Sequence, residues 1–333
     1  MRLSLATWDH DRVMGVHDGS CPVEGPDGPV AIESHVLPTT TLFPVAVQEA
    51  RFDVTELSVS SYVLQLSRGE SAYTAIPAFI SRAFRHNGFY VRAGSGIDRP
   101  EDLAGRTVGV PEYQMTAALW MRGILADDHG VRAGDIRWRT GALDAGVRRE
   151  RLALALPEGM QVEPIADGQT LQDLLLAGEI DGLLAPKPPG AFLDGDPRLA
   201  RLFPDPEATE RAWHARTGFF PIMHLVALRR SLAEAHPWLP GALMAAFTAA
   251  RDRAVDRLRD VWLGSANRLS LPWLGASMER TLAAMGPDYW RYGVEANRAE
   301  LEAICRYSVD QHLAARHVGV DEMFHASVME RAA

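Results

Sequence analysis

The sequence predicts an α/β protein with two lobes, mixed sheets flanked by helices, and extra helices at its C-terminal end. Three observations support this prediction. The 333 residues, 47% of them hydrophobic, suit two domains better than one. Short apolar segments alternate with helical segments from residue 3 to about residue 228, as in lobes built on a largely parallel sheet. From Leu232 onward the pattern is helical alone, which indicates that the chain returns to cover the first lobe.

The first lobe is predicted from apolar segments that are bounded by turn residues and helix-capping hydroxyls. Thr39, Thr40 and Thr41 follow a proline and are good N-caps, and a Gly/Pro-rich turn at 25–29 precedes the second strand. The predicted elements are, in order, strands 3–8 and 30–37, a helix 43–50, a strand 52–54, a helix 55–66, and strands 75–80 and 88–91.

The second lobe is predicted from a further alternating series. Its elements are, in order, a strand 107–110, a helix 114–127, a strand 136–138, a helix 147–155, a strand 161–164, a helix 171–177 and a strand 181–184. The proline-rich turn 186–190 follows, and the strand 221–228 carries the chain back toward the first lobe.

Charge and composition exclude several classes of partner. The formal net charge is −9, whereas a protein that binds nucleic acid needs a basic patch. No segment approaches the ~20 apolar residues that span a bilayer, and the N-terminus reads as a first strand rather than a signal peptide. We therefore expect a cytoplasmic protein with no membrane partner. Cys21 and Cys305 match no metal or redox spacing and are expected to be free thiols.

Residues 98–111 (DRPEDLAGRTVGVP) resemble the "PxDLxGKxVGV" entry to the second lobe of type 2 periplasmic binding proteins. Three further stretches look like the 4,5-dihydroxyphthalate decarboxylase family, which shares that fold. They are 81–86 (SRAFRH), 112–123 (EYQMTAALWMRG) and 220–224 (FPIMH). The similarity extends over most of the chain and is strongest from about residue 52 to residue 131.

The resemblance implies non-oxidative decarboxylation of a hydroxylated aromatic dicarboxylic acid, so the expected partner is a small aromatic carboxylate. For the name-giving substrate, 4,5-dihydroxyphthalate gives 3,4-dihydroxybenzoate and carbon dioxide. The resemblance also implies a first lobe of residues 1–93 plus 224–333, a second lobe of residues 94–223, and a ligand cleft between them. Binding proteins and enzymes share this fold. A non-catalytic solute-binding or sensor protein for a small organic acid, or a biosynthetic enzyme for thiamine or menaquinone precursors, is therefore the alternative.

In this fold an anionic ligand would lie beyond the carboxyl ends of the strands, where helix N-termini present free N–H groups. Three predicted N-termini carry hydroxyl or amide side chains, which serve either as pocket donors or as simple helix caps. They are 39–41 with Thr40, 56–58 with Ser58, and 113–116 with Tyr113, Gln114 and Thr116. Tyr113 precedes its helix and is the candidate for a wall against the substrate ring.

Arg82, Arg85 and His86 form a cationic cluster between two predicted strands. The planar fork of arginine suits bidentate binding of a carboxylate, so Arg82 and Arg85 are candidate substrate-binding residues. Because the two lie three positions apart in a predicted loop, they need not face the same way. The alternative is a solvated loop.

The chemistry of the reaction assigns candidate catalytic residues. Direct loss of carbon dioxide would leave an aryl anion, so we expect protonation of the ring carbon while a para or ortho hydroxyl loses its proton. His86 or His224 is the candidate proton donor, and Glu56 or Lys187 is the candidate group at the phenolic end. Lys187 is the only lysine among 34 basic residues, and its compact ammonium can deprotonate. This route requires no organic cofactor.

The sequence leaves a metal ion and the oligomeric state less constrained. His10 and His17 lie near acidic residues of the first loop, namely Asp9, Asp11 and Asp18. That spacing can bind a divalent metal, but no HExxH-like signature is present, so the prediction is no metal, with this site as the alternative. The apolar faces of the C-terminal helices suit a homo-oligomer interface and packing on the first lobe equally well.

Overall fold

The predicted alternation of strands and helices is present in the computed structural model, which describes residues 1–329. The strands are β1 (Arg2–Thr7), β2 (Glu24–Gly25), β3 (Gly28–Pro29), β4 (Ala31–Val36), β5 (Val54–Ser58), β6 (Tyr73–Arg82), β7 (Phe89–Arg92), β8 (Thr107–Val110), β9 (Arg137–Thr140), β10 (Val162–Pro164), β11 (Gly182–Leu184), β12 (Leu199–Arg201) and β13 (Ile222–Arg229). The α-helices are α1 (Met14–His17), α2 (Thr39–Glu49), α3 (Val59–Arg68), α4 (Thr116–His129), α5 (Leu171–Ala177), α6 (Gly190–Leu193), α7 (Pro206–Thr217), α8 (Arg230–Ala235), α9 (Leu239–Trp262), α10 (Leu274–Met285), α11 (Arg298–Asp310) and α12 (Val320–Met323).

The first sheet has the strand order β4-β1-β5-β13-β6. Strand β1 pairs in parallel with β4 and β5, whereas β13 runs antiparallel to both β5 and β6. Every residue of β5 is buried, and so are all residues of β13 except His224 and the last one, Arg229. Continuous burial of this kind is typical of central strands that are covered on both faces.

The second sheet has the strand order β10-β9-β8-β11-β7-β12. Its first four strands are parallel to one another. At one end of the sheet, β7 pairs antiparallel with β11, and β12 pairs antiparallel with β7. Tyr90, Leu171, Leu175 and Leu183 form part of a separate apolar core beneath this sheet. The two sheets thus give the α/β architecture with mixed sheets that the sequence predicts.

The chain passes from the first sheet to the second earlier than predicted. Strand β6 belongs to the first sheet and β7 to the second, so the crossing lies between Arg82 and Phe89 and not at residue 93. The apolar residues of β7 pair with β11 and β12 before the chain reaches the second-lobe motif at 98–111. The return crossing lies between α7 and β13, close to the predicted residue 224.

Residues 55–58 are strand and not the predicted beginning of a helix. Glu56 and Ser58 lie in β5, which is hydrogen-bonded between β1 and β13, and helix α3 begins at Val59. The capping pattern of Thr55 through Ser58 is a local preference, and the pairing with two neighbouring strands overrides it. The change moves Glu56 from a helix terminus into the middle of a sheet.

Residues 147–155 form an irregular loop and not the predicted helix. Three backbone carbonyls of this loop accept hydrogen bonds from side chains outside it. These bonds join Gln48 to Arg151 at 2.9 Å, Arg68 to Ala153 at 2.8 Å and Gln114 to Leu152 at 3.0 Å. Because side chains outside the loop satisfy these carbonyls, the segment does not need an intrahelical ladder.

Of the C-terminal helices, α8 and α9 pack on the first sheet, as predicted, whereas α11 packs on α3 and α4. Helix α9 contacts α1 and β6, and Phe324 forms a β-bridge with Ala75 of β6. Cys21 and Cys305 are buried free thiols. Among the described residues, no helix combines the length and the apolar composition that crossing a membrane requires.

Candidate active site

A cavity of about 690 Å³ lies where strand ends from both sheets meet. Its lining includes residues at or just beyond the carboxyl ends of parallel strands, namely Trp8, Ser58, Ser81, Glu112 and Lys187. Strand β13 runs the other way, so its first residues, among them Met223 and His224, lie at the same edge. Open α/β sheets bind ligands at this edge. A second concavity, of about 750 Å³, is lined by residues of the outer face of α9 and by Arg268 and includes no strand residue.

Three helix N-termini border the cavity. Thr39 and Thr40 begin α2, Ser58 precedes α3 and Thr116 begins α4, and all four residues line the cavity. The N-cap residues of the three helices, Pro38, Ser58 and Met115, make no side-chain hydrogen bond to their own helices. Thr116 Oγ1 lies 2.8 Å from Ser58 Oγ and accepts the Ser60 backbone N–H at 3.1 Å, so it ties α4 to α3. Among the described residues, the N-termini of α2 and α4 have no side-chain cap, which favours an anionic ligand at this end of the cavity.

His224 reaches the cavity because β13 is irregular around it. The register between β13 and β6 shifts on both sides of His224, and such bulges redirect a side chain. The ring is 17% exposed and packs edge-on against Phe43, with centroids 4.8 Å apart. Its Nδ1 lies 2.6 Å from Glu56 Oε1, whereas its Nε2 has no hydrogen-bond partner among residues 1–329. Nε2 is therefore the nitrogen that a ligand can contact.

Glu56 is a buried carboxylate that accepts three hydrogen bonds. Its Oε1 contacts His224 Nδ1 and, at 3.0 Å, His10 Nε2, while Oε2 accepts the Trp8 backbone N–H at 2.7 Å. Burial by itself raises the pKa of Glu56, but the hydrogen bonds from His10 and His224 outweigh it and hold the pKa well below its usual range. Glu56 does not line the cavity, so the structure does not place it at the phenolic end of a ligand there.

Burial favours the neutral form of His224. Burial lowers the pKa of His224, and the neighbouring Glu56 carboxylate only partly opposes that effect. The hydrogen bond to Glu56 places the proton of the neutral ring on Nδ1. The Nε2 lone pair then points away from Glu56, which is the arrangement of a general acid–base histidine held by a carboxylate.

The structure does not bring together the metal ligands predicted around His10 and His17. His17 Nε2 lies 2.8 Å from Thr7 Oγ1 and its Nδ1 lies 2.7 Å from Ser34 Oγ, and burial lowers its pKa to about 4. Among residues 1–329, a different set of residues brings side chains of metal-binding type close together. It consists of His10, Glu56 and His224, whose ligand atoms lie within 4.8 Å of one another.

Arg85 is the one predicted arginine that lines the cavity. Its Nε contacts Met223 Sδ at 3.2 Å and its Nη1 lies 3.5 Å from the Pro186 carbonyl, and it forms no ion pair with a carboxylate of residues 1–329. Burial lowers the pKa of Arg85 to about 10, and the more distant Glu210 opposes this effect. The guanidinium is still charged at neutral pH and lacks a protein counter-ion, which suits a ligand carboxylate.

Three further arginines, Arg148, Arg149 and Arg151, line the cavity and were not predicted. Glu112 accepts Arg148 Nε through Oε1 and Arg151 Nε through Oε2, both at 2.6 Å, and all three residues line the cavity. Arg151 is buried, and its Nη1 has no hydrogen-bond partner among residues 1–329. The sequence signal was the run of three arginines around Glu150, which is obscured by the helical pattern predicted for 147–155.

Lys187 lines the cavity and forms an ion pair with Asp144, which also lines it. Its Nζ lies 3.2 and 3.1 Å from the two carboxylate oxygens of Asp144, and its side chain is 63% exposed. Lys187 follows β11 and Asp144 follows β9, so the pair belongs to the second-sheet side. The lining as a whole has five basic side chains and two carboxylates. An acidic protein has therefore placed positive charge locally.

Arg82 and His86 do not reach the cavity. Arg82 is buried in an ion pair with Glu300 at 3.2 Å and also donates to the Phe220 carbonyl at 2.7 Å. His86 packs edge-on against Phe203 and Trp213, and burial lowers its pKa to about 4. Because Arg82 ends β6 whereas Arg85 lies in the connection to β7, the backbone turns the two arginines in different directions. The structure therefore gives no support at this cavity to the predictions of Arg82 as a substrate ligand and of His86 as a proton donor.

Tyr113 and Gln114 are also absent from the cavity lining. Tyr113 is fully buried, with the Arg122 guanidinium 3.8 Å from its ring centroid and its hydroxyl 3.1 Å from the Gln311 carbonyl. The backbone N–H groups of Tyr113 and Gln114 both donate to Glu150, and Gln114 Nε2 donates to the same carboxylate at 2.9 Å. Glu150 therefore occupies the position in which a substrate carboxylate was predicted.

Fold and site together define a two-lobed protein of the periplasmic-binding-protein fold with a cationic cleft. The aliphatic sulphonate binding protein SsuA of Escherichia coli superposes with a TM-score of 0.52 at 12% identity, over 98% of this chain and 91% of that one. A DszB mutant in complex with biphenyl-2-sulfinic acid superposes with a TM-score of 0.52 at 16% identity, over 98% and 97% of the two chains. Identities this low establish the fold alone.

The chain belongs to the 4,5-dihydroxyphthalate decarboxylase family. It is 38% identical over 330 residues to the 4,5-dihydroxyphthalate decarboxylase of Comamonas testosteroni, covering 99% of this chain and 98% of the relative. A second relative of the same name, from Pseudomonas putida, is 36% identical over 214 residues, which cover 64% of this chain and 81% of that protein. No family model matches the chain.

Proposed function

We propose that the protein catalyses the non-oxidative decarboxylation of 4,5-dihydroxyphthalate to 3,4-dihydroxybenzoate and carbon dioxide. The observation that carries this proposal is the histidine of the cavity, His224, held by the buried carboxylate of Glu56 within a cationic lining. An aromatic dicarboxylate needs cations to bind, and its decarboxylation needs a proton donor at a ring carbon. The relative from Comamonas testosteroni, which is named for this activity, supports the choice of substrate.

The reaction exchanges a carboxylate for a proton at one ring carbon. Loss of the proton from the hydroxyl para to that carbon raises the electron density at the carbon, and a proton then adds there. In the resulting dienone the bond to the carboxylate breaks, its electron pair restores the aromatic ring, and the phenolic oxygen regains a proton. One proton is consumed per turnover, and nothing is oxidised or reduced, so the proposal includes no organic cofactor.

His224 supplies the proton to the ring carbon. While the cavity is free of ligand, burial keeps the pKa of His224 below its ordinary value. A substrate with two carboxylates adds negative charge beside the ring, which favours the imidazolium and raises this pKa. His224 then carries a proton on Nε2 that faces the ligand, while Glu56 stabilises the imidazolium through Nδ1. Substrate binding thus favours the protonated form of His224 that the reaction requires.

Arg85 and Arg151 bind the carboxylate that the product retains. Both line the cavity: Arg85 forms no ion pair with a carboxylate of residues 1–329, and Arg151, although paired with Glu112, has an Nη1 without a hydrogen-bond partner among those residues. The carboxylate that leaves must not be held in this way, because a cation that stabilises the ground-state carboxylate raises the barrier to its loss. The proposal therefore assigns the retained carboxylate to the arginines and the reacting carbon to His224.

Lys187 and Asp144 serve the phenolic end of the substrate. Asp144 accepts a proton from a ring hydroxyl, and the ammonium of Lys187 stabilises the phenolate that forms. Ser58, Thr40 and Thr116 supply further hydrogen bonds to the substrate near the helix N-termini. These side chains keep the substrate-binding role predicted from the sequence.

The proposed function is tested by incubating the purified protein with 4,5-dihydroxyphthalate. Formation of 3,4-dihydroxybenzoate is followed by ultraviolet absorbance and by chromatography, and released carbon dioxide is measured in parallel. We expect equimolar amounts of both products, and a loss of turnover in His224→Gln with substrate binding preserved. Binding without turnover in the unsubstituted protein would favour the solute-binding alternative. If the protein neither binds nor converts 4,5-dihydroxyphthalate, this choice of substrate is disproved.

A further inference from the structure

The guanidinium of Arg12 is fixed behind the His10, Glu56 and His224 cluster by four contacts. Its Nε donates to the Ile80 carbonyl at 2.7 Å, and its Nη1 donates to Asp11 at 2.8 Å. The plane lies over the Trp290 ring, 3.9 Å from the centroid. The fourth contact joins Arg12 Nη2 to His10 Nδ1 at 3.2 Å. With 18% of the side chain exposed, the group has little freedom to turn away.

The contact between Arg12 and His10 determines which nitrogen of His10 carries a proton. A guanidinium has donors and no acceptor, so His10 Nδ1 must accept and carries no proton. The neutral ring therefore has its proton on Nε2, and that N–H donates to Glu56 Oε1 at 3.0 Å. In the other tautomer two donors would face each other at Nδ1, and the Nε2 lone pair would face the Glu56 carboxylate.

The contact between Arg12 and His10 also disfavours metal binding by His10, Glu56 and His224. Glu56 Oε1 receives N–H groups from His10 and His224, and Oε2 receives the Trp8 backbone N–H. A metal ion bound by this group would require the Nε2 lone pair of His10, and the displaced proton would move to Nδ1 against the Arg12 guanidinium. The positive charge of Arg12 would also oppose a divalent cation. The arrangement suits an oriented hydrogen-bond chain.

We propose that Arg12 is a positioning residue that fixes the tautomer of His10 and thereby keeps Glu56 as an acceptor for His224. The chain of hydrogen bonds runs from Arg12 through His10 to Glu56, where it meets the bond from His224. It holds the His224 ring with Nε2 toward the cavity and keeps the cluster free of a divalent metal. The catalytic consequence rests on the proposed decarboxylation, whereas the tautomer and the absence of metal do not.

The proposal is tested first without an activity measurement. In protein labelled with ¹⁵N-histidine, we expect the His10 resonances of the Nε2–H tautomer, assigned by their loss in His10→Gln. We expect less than about 0.1 equivalent of zinc, manganese or iron after purification, and again after incubation with each ion followed by desalting. An Nδ1–H tautomer at His10, or about one equivalent of bound metal that His10→Gln removes, would overturn the proposal.

A double-mutant cycle then tests the catalytic consequence. Arg12→Met removes the donor, and we expect kcat to fall about tenfold with KM little changed, because a charged hydrogen bond is lost from the chain. Gln at position 10 keeps a donor toward Glu56 and has no tautomers, so Arg12→Met should change kcat less than about twofold in the His10→Gln background. Arg12→Lys, which retains a cationic donor, should restore part of the activity.

The matched control is Arg251→Gln. Arg251 donates to the Trp290 backbone carbonyl at 3.3 Å and pairs with Asp252, so it packs on the same segment without touching His10. We expect its kcat to be unchanged. An equal loss from Arg12→Met in both His10 backgrounds would show that Arg12 acts on stability alone and would overturn the positioning role. If no variant and not even the unsubstituted protein decarboxylates the substrate, the proposed function fails while the tautomer and metal results still decide this inference.

Discussion

The two walls of the cavity hold their charged groups in different ways. On the first-sheet side, His224 and Glu56 lie in adjacent central strands, β13 and β5, whose backbones are paired on both edges. On the second-sheet side, Arg148, Arg151 and Lys187 lie on loops that follow β9 and β11. A proton donor must be held within a fraction of an ångström, and a central strand provides that precision. Recognition of a carboxylate by long cationic side chains tolerates loops, which can also adjust as a ligand enters.

The largest effect should come from the first-sheet wall, at His224. We expect His224→Gln to lower kcat by about 10²- to 10⁴-fold, because general acid catalysis is lost, while KM changes little. His86→Gln is the control, since His86 packs between Phe203 and Trp213 outside the cavity. The control should keep kcat at 25 °C even if its melting temperature falls. A loss in His86→Gln as large as that in His224→Gln would contradict the assignment of the proton donor.

The next effect should come from Glu56. We expect Glu56→Gln to lower kcat about 10- to 100-fold, because a neutral amide neither orients His224 nor stabilises its imidazolium as a carboxylate does. Since the pKa of Glu56 is lowered on folding, its stabilising effect is fully present above its unfolded pKa of about 4.3 and is lost as the pH falls below that value.

Denaturant unfolding measured between pH 7 and pH 3 checks the sign of this linkage. The stability of the unsubstituted protein should fall more steeply with decreasing pH than that of Glu56→Gln. Parallel curves for the two proteins would show that Glu56 is not a depressed carboxylate, and the contrast between the two walls would then lose its electrostatic basis.

The difference between the walls also explains what the sequence could predict. Local patterns indicated three helix N-termini, and Thr40, Ser58 and Thr116 do line the cavity, although α3 begins at Val59 and residues 55–58 are strand. His224 was identified by its position in the strand that returns between lobes. Arg82 was predicted at the substrate site because its partner Glu300 lies 218 positions away in the sequence, and only the folded structure brings the two together.

Other features depend on contacts that no local pattern contains. The loop 147–155 has a helical pattern, but side chains of Gln48, Arg68 and Gln114 bind its carbonyls, so Arg148 and Arg151 turn to the cavity. In the same way, Glu150 takes the N–H groups at 113 and 114 that were expected to bind the substrate. Both errors concern the second-sheet wall, where loops and long side chains decide the geometry.

On that wall, Arg151 should matter more than its neighbour Arg149. We expect Arg151→Gln to raise KM about tenfold with a smaller change in kcat, because one charge-assisted hydrogen bond to the retained carboxylate is lost. Glu112→Gln should act in the same direction, since Glu112 holds both Arg148 and Arg151. Arg149→Gln is the matched comparison, because Arg149 also lines the cavity but its side chain is 76% exposed and pairs with Asp167 at 3.4 Å, so the loss of this charge should raise KM much less. Equal KM values for Arg151→Gln and Arg149→Gln would remove Arg151 from the substrate site.

The smallest effect should come from Lys187, and it separates two roles for this lysine. The side chain is 63% exposed and paired with Asp144, and exposed ion pairs contribute little, so we expect Lys187→Met to lower kcat only about three- to tenfold. If Lys187 acts through its charge on the phenolate, Lys187→Arg should retain kcat within about twofold, because arginine keeps that charge but does not deprotonate. If Lys187→Arg loses as much as Lys187→Met across pH 6 to 9, the ammonium itself transfers a proton. The second-sheet wall would then contain catalytic chemistry in addition to carboxylate recognition.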